Sequence, residues 1–173
     1  MKSLILFASL ASLMLAQDPP QKKAPLSPAA STSVAIDGHT VSVKYAAPSM
    51  RSRKVFGGIV PYGQVWRAGA NSATALHTDA DLMIGKVMVP KGDYTLYVLP
   101  AADSWQLIIN KQTGQWGTEY SEGQDLGRVK MTLTKAAAPV EVFKITLSAA
   151  GGKKATLQME WEESVASVPV SVH

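Results

Sequence analysis

The chain of 173 residues contains no cysteine. Disulfides, thiolate metal sites and cysteine nucleophiles are therefore excluded, and packing alone must hold the fold. After residue 16 no apolar run approaches the ~20 residues that a membrane-spanning helix needs. Charge of one sign is also scarce, with 17 Lys and Arg against 13 Asp and Glu, a net +4. The pairs Lys22-Lys23 and Lys153-Lys154 are scattered rather than striped, which argues against a nucleic-acid partner. No Gly-x-Ser-x-Gly elbow, P-loop, dinucleotide fingerprint or zinc-protease signature is present. The motifs thus indicate no cofactor and no metal, and the enzymatic signal is weak. A sustained 3.6-residue apolar period is missing too, which removes helices from the expected domain.

What is present begins with an address. Met1 and Lys2 precede an apolar run from Leu4 to Ala16 that ends among small residues, the pattern of a secretory signal peptide. The expected cleavage follows Ala16, and the expected location is periplasmic or extracellular. Residues 17–30 carry Pro19, Pro20, Pro25 and Pro28 and read as a linker. A single β domain is expected over 31–162, followed by a loose tail over 163–173.

Period-two alternation recurs through that domain. Val41, Val43 and Tyr45 share one face, with Ser42 and Lys44 on the other. Trp105, Leu107 and Ile109 alternate in the same way, as do Val129, Met131 and Leu133, then Phe143, Ile145 and Leu147, then Leu157, Met159 and Trp161. Residues 94–99 are apolar on both faces, which fits a strand buried on both sides. Asp37-Gly38, Pro90-Lys91-Gly92-Asp93, Ala102-Asp103-Ser104 and Gly151-Gly152 punctuate the runs as turns. Many short strands separated by turns predict an all-β fold, specifically a two-sheet antiparallel β-sandwich of jelly-roll-like form.

One segment breaks the alternation. Residues 46–71 combine Pro48, Gly57, Gly58, Pro61, Gly63 and Gly69 with Arg51, Arg53, Lys54 and Arg67 and with Phe56, Tyr62 and Trp66. Irregular loops beyond ~12–15 residues are uncommon in compact domains and often carry function. Arg53, Tyr62, Trp66, Arg67 and Asn71 are therefore the candidate ligand-binding residues. Arginine forks bind carboxylate or phosphate, aromatic faces stack on sugars, and an asparagine amide satisfies hydroxyls. The expected partner is a glycan or an anionic small molecule, and the leading function is a non-catalytic binding module. The competing reading places Phe56, Tyr62 and Trp66 in a satellite core that pins the loop.

His77 offers a second chemistry. On an extended strand it shares a face with Asp79 and Asp81, an arrangement that supplies a base with its orienting carboxylate. An envelope hydrolase using His77 with Asp79 or Asp81, and Arg67 for charge stabilisation, is the alternative. The turn-like Asp79-Ala80-Asp81 works against it by splitting that face. A structural or partner-binding envelope protein is the third reading.

The string from Tyr45 through Pro48, Arg51, Arg53, Phe56, Gly57-Gly58, Pro61-Tyr62-Gly63, Trp66-Arg67 and Gly69 to Asn71 resembles a bacterial family called domain of unknown function 2911. Val89 to Tyr97, Trp105 to Asn110 and Gln115-Trp116-Gly117 are similar to its later blocks, so the likeness spans residues 26–162. Lys91 stands where Ala is common in that family's turn. The resemblance implies an exported single domain, and it implies no activity and no catalytic residues.

Overall fold

A computed structural model describes residues 26–173. The signal segment 1–16 and residues 17–25 of the linker lie outside the described residues. Nine strands form one antiparallel series: β1 (Ala29–Ile36), β2 (His39–Ala46), β3 (Thr74–Thr78), β4 (Leu82–Ile84), β5 (Val87–Val89), β6 (Gly92–Pro100), β7 (Trp105–Asn110), β8 (Asp125–Gly151) and β9 (Lys154–Val172). Their spatial order is β1-β2-β3-β6-β7-β8-β9-β4-β5. A single 3₁₀ turn, Glu122–Gln124, interrupts the strands. No helix among the described residues is long and apolar enough to cross a membrane.

The turns follow their local chemistry. Asp37 and Gly38, at φ 52° and 80°, close the β1–β2 hairpin between the paired Ile36 and His39. Two successive positive φ values match the right-handed twist of the flanking strands, and Asp-Gly adopts them at low cost. In the β8–β9 turn Gly151 pairs with Lys154, so Gly152 and Lys153 form the tip, and glycine takes the positive φ values of 92° and 55° at 151 and 152.

The all-β expectation holds, while the strands join into one hydrogen-bonded series rather than two separate sheets. The joint is β8. It pairs with β7 as far as Met131 and with β9 from Thr132 onward. The two alternating runs expected as separate strands are thus one strand of 27 residues, irregular around Val140. The series folds back on itself. The Ile145 amide donates to the Tyr45 hydroxyl at 3.0 Å, and the Leu147 amide donates to the Thr32 hydroxyl at 3.1 Å.

The fold-back encloses the core. Val41, Val43, Leu76, Leu96, Val98 and Leu107 meet Ile145, Leu147, Leu157, Met159, Val168 and Val170 across it. Aromatic rings fill the middle. Phe56 lies 4.4 Å from Trp105, and Trp66 stacks on Trp161 at 5.7 Å and 21°. Each such aromatic pair contributes roughly 0.5–1.5 kcal/mol beyond its buried area.

The expected loose tail is corrected. Residues 163–172 are the second half of β9, and Val170, Ser171 and Val172 pair with Ile84, Met83 and Leu82. Ala166, Val168, Val170 and Val172 point inward at alternate positions, and their burial orders the segment. Ala29 and Ala30, assigned to the linker, already belong to β1.

β6 is buried on both faces over Tyr94–Val98. Its inner face meets the core, and residues 111–121 cover its outer face. There Gln115 Nε2 donates to Tyr97 Oη at 2.8 Å and to Thr95 Oγ1 at 3.2 Å, and Tyr97 donates to the Glu119 carbonyl at 2.7 Å. This cover is polar because Thr95, Tyr97 and Asn110 occupy the outer positions of β6 and β7. It leaves the outer face of β1, β2 and β3 open.

Candidate functional site

The long loop is mainly scaffold. Phe56 is 3% exposed, and Trp66 joins the same ring cluster while its Nε1 donates to the Gly69 carbonyl at 3.1 Å. Trp66 therefore offers no stacking face. Arg53 donates to the carbonyls of Met50 and Ser49, both at 2.9 Å, which fixes the turn in which Arg51 and Ser52 adopt φ 51° and 58°. Arg51 Nη2 donates to the Leu26 carbonyl at 2.7 Å. The Val55 and Phe56 amides donate to the Glu162 carboxylate at 3.1 and 3.2 Å. Glu162, a surface charge by its sequence setting, is thus the anchor of the loop and itself sits at φ 55°.

Arg67 follows Trp66, whose bridge partner is Val98, so its register position is opposite Tyr97 on the outer side of β6. It packs under Gly117. A Cβ at Gly117 would collide with Arg67 Cδ and lie 2.6 Å from the Asn71 carbonyl oxygen, so only glycine fits. Arg67 Nε is buried without a hydrogen-bond partner. Tyr62 is 44% exposed beside Gly57, remote in its contacts from Asn71. Asn71, at φ 60°, lines a cavity that reaches the open sheet face, whereas Tyr62 lines a separate cavity of about 410 Å³ and Arg53 one of about 140 Å³.

That cavity, of about 540 Å³, spans the end of the loop and the open sheet face, with Asn71, Ser72, Gln115, Lys44 and Ala75 on its walls. Two further cavities adjoin it through Lys44: one of about 270 Å³ toward His77, and one of about 340 Å³ toward Ser31. The register explains the groove. Ser31, Lys44, Ala75 and Thr95 lie side by side across four strands, and Ser33, Ser42, His77 and Asp93 form the next row. Serine and alanine make the floor shallow and leave Lys44 standing in it. Lys44 makes no ion pair among the described residues.

His77 has a different carboxylate from the expected one. Its Nδ1 lies 2.8 Å from Asp93 Oδ1. Asp79 instead accepts from the Thr40 amide at 2.9 Å and faces His39 at 3.3 Å, and Asp81 accepts from the Lys91 amide at 2.8 Å. The bend at Asp79-Ala80 ends β3 and turns both carboxylates away from His77. Arg67 and His77 line none of these cavities together. Among the described residues no group of three or more His, Asp and Glu is placed to hold a metal ion.

Beside the groove, residues 111–128 form a charged network. Tyr120 donates to Asp125 Oδ2 at 2.7 Å, and Arg128 Nη2 donates to Tyr120 Oη at 2.8 Å and to Glu122 at 2.8 Å. Burial, together with the hydrogen bond to Asp125, pushes the Tyr120 hydroxyl up to about 12. Burial raises Tyr97 as well.

Ser42, Lys44 and Asp93 escaped the site prediction. The alternation already set Ser42 and Lys44 on the polar face of β2, but nothing local shows that β3 and β6 bring His77 and Asp93 beside them. No curated protein and no solved structure matches the chain. The family described as "Protein of unknown function (DUF2911)" matches residues 27–170, and the chain belongs to it.

Proposed function

We propose that this protein is an exported binding module for a polar chain bearing carboxylate or phosphate groups, such as an acidic glycan. The groove across β1, β2 and β3 is its site. The observation that carries this reading is Lys44, an unpaired cation shared by three adjoining cavities. Trp116 supports it. This ring is 52% exposed and bridges to Ser72, which lines the largest cavity. An exposed tryptophan at a groove rim offers a flat apolar face on which a sugar ring stacks, while a lysine ammonium and the Asn71 amide answer its charge and hydroxyls. The long loop contributes its last turn, Ala70–Ser72, rather than its arginines. In this reading the strands from β1 to β7 and the β8-β9-β4-β5 group act as two layers of a sandwich, and the groove lies on the outside of the first.

The test is a thermal-shift titration of residues 17–173 with a trimer of galacturonic acid and with the neutral galactose trimer. Ligand at 100 times its dissociation constant stabilises a fold by ~2.7 kcal/mol. The acidic trimer is expected to raise Tm, and Lys44→Ala is expected to remove the rise without lowering the unliganded Tm. An equal rise in Lys44→Ala, or no rise with the acidic trimer, ends this reading.

A hydrolase is the second reading. The contact between His77 and Asp93 favours it, in place of the Asp79 or Asp81 pairing expected from the sequence.

A further inference from the structure

We infer that Ser42, His77 and Asp93 form a nucleophile–base–orienter row that transfers an acyl group from an ester to water. The row deepens the hydrolase reading and rests on it. Three neighbouring strands present the residues directly opposite one another, Ser42 beside His77 and His77 beside Asp93. Side chains so placed have Cβ atoms about 4.5–5.5 Å apart, within reach of a hydrogen bond once rotamers adjust. One half of the row is already closed, with His77 Nδ1 at 2.8 Å from Asp93 Oδ1. When Nδ1–H donates to that carboxylate, Nε2 carries the lone pair and becomes the basic nitrogen. Ser42 makes no hydrogen bond to His77 in the resting structure, and rotation of its hydroxyl toward Nε2 closes the row. Such contacts commonly tighten only when substrate is bound.

The surroundings supply the remaining parts. Ser42, His77, Asp93 and Lys44 line one cavity of about 270 Å³, floored by Ala75 and Leu76. Lys44 lies two residues from Ser42 on the same face of β2, where its ammonium can meet an oxyanion. The cavity opens at Lys44 into the larger groove. The substrate class is therefore the ester of a small acyl group carried on a polar chain lying in that groove.

The second His–Asp pair provides an internal contrast. His39 lies 3.3 Å from Asp79, but its cross-strand neighbour is Ile36, and Asp79 also accepts from the Thr40 amide. It has the same two residue types without a hydroxyl in the row.

The chemistry balances without a co-reactant other than water. Ser42 Oγ attacks the ester carbonyl carbon as its proton passes to His77 Nε2. The carbon–oxygen bond to the alcohol breaks, and the imidazolium returns the proton to the leaving oxygen. Water then attacks the acyl-Ser42 carbonyl, giving its proton to His77. The Oγ–carbon bond breaks, Ser42 regains a proton, and a carboxylic acid leaves.

The experiment uses residues 17–173, p-nitrophenyl acetate and a fluorophosphonate probe, with the labelled peptide identified by mass spectrometry. Label is expected on Ser42. Ser42→Ala and His77→Ala should each lose labelling and about 100-fold or more of the acetate release, while His39→Ala retains both. Circular dichroism of each variant checks folding, which exposed positions on one sheet face should preserve. No label, label on another serine, or turnover unchanged in Ser42→Ala overturns the row. Neither probe needs the groove. Label on Ser42 with no response to the acidic trimer ends the glycan reading alone, and a response without label ends the row alone.

Discussion

Residues 47–73 and the open face of β1, β2 and β3, with Asp93 at its edge, hold comparable chemistry: cations, hydroxyls, amides and a carboxylate partner. They use it in opposite ways. In the loop, Arg51 and Arg53 spend their donors on backbone carbonyls, Phe56 and Trp66 enter the ring cluster, and Glu162 reaches across from β9 to hold the Val55 and Phe56 amides. On the open face, Lys44 stays unpaired and His77 has a single partner. A long irregular segment must satisfy its own polar backbone, so its exposed arginines fold back onto backbone carbonyls. A strand has its backbone satisfied by neighbours, so every second side chain is left for solvent or ligand.

That contrast can be broken at its strongest point first. Phe56→Ala removes a buried ring at the meeting of Trp66, Trp105 and Trp161. It is expected to cost about 3–5 kcal/mol in urea unfolding, whereas a loop that merely carries a ligand would tolerate the change. Glu162→Ala is next. Loss of the carboxylate that accepts two partly buried amides is expected to cost roughly 1.5–3 kcal/mol. A cost below about 0.5 kcal/mol, the usual range for a plain surface residue, would show that the loop holds without it.

The smallest effect concerns the charged network of residues 111–128 that flanks the covered face of β6. The Tyr120 hydroxyl is raised to about 12 in the folded protein, against about 10 in an unfolded chain. The folded state therefore holds this proton more tightly. Its stabilisation is complete below pH ~10 and is lost as pH rises toward ~12. Urea midpoints measured across that interval should fall, and Tyr120→Phe should flatten the fall. A slope unchanged in Tyr120→Phe would place the alkaline loss elsewhere, with Tyr94 and Tyr97, both also raised by burial, as the remaining groups.

Much of the architecture was legible because it is local. Alternation located β2, β6, β7 and both halves of β8, Asp37-Gly38 is a hairpin turn by backbone chemistry alone, and the β8–β9 turn lies one residue on from Gly151-Gly152, at Gly152-Lys153. The merging of Val129–Leu133 and Phe143–Leu147 into one strand was not legible. It depends on β9 accompanying β8 through the irregular stretch around Val140, which is a pairing between distant segments. The order at 163–172 was hidden for the same reason, since residues 164–167 pair with β8 and residues 170–172 with the far earlier β4, Val172 with Leu82.

The site was legible only in part. Asn71 lines a cavity, and His77 meets a carboxylate other than the Asp79 or Asp81 the sequence pointed to. Its partner Asp93 stood inside a recognised turn motif, and only the β3–β6 register brings the two together. Trp66 and Arg53 looked like ligand contacts because residue type is visible in a sequence while direction is not.

The central claim is that ligand meets the open sheet face and the last turn of the long loop, not the arginine-bearing stretch 51–63. The most direct measurement is amide chemical-shift mapping of residues 17–173 during titration with the galacturonic acid trimer. The account predicts that the shifts cluster at 42–45, 71–77 and 114–117. A cluster at 51–63, around Arg53 and Tyr62, with 42–45 and 75–77 unmoved, would contradict it.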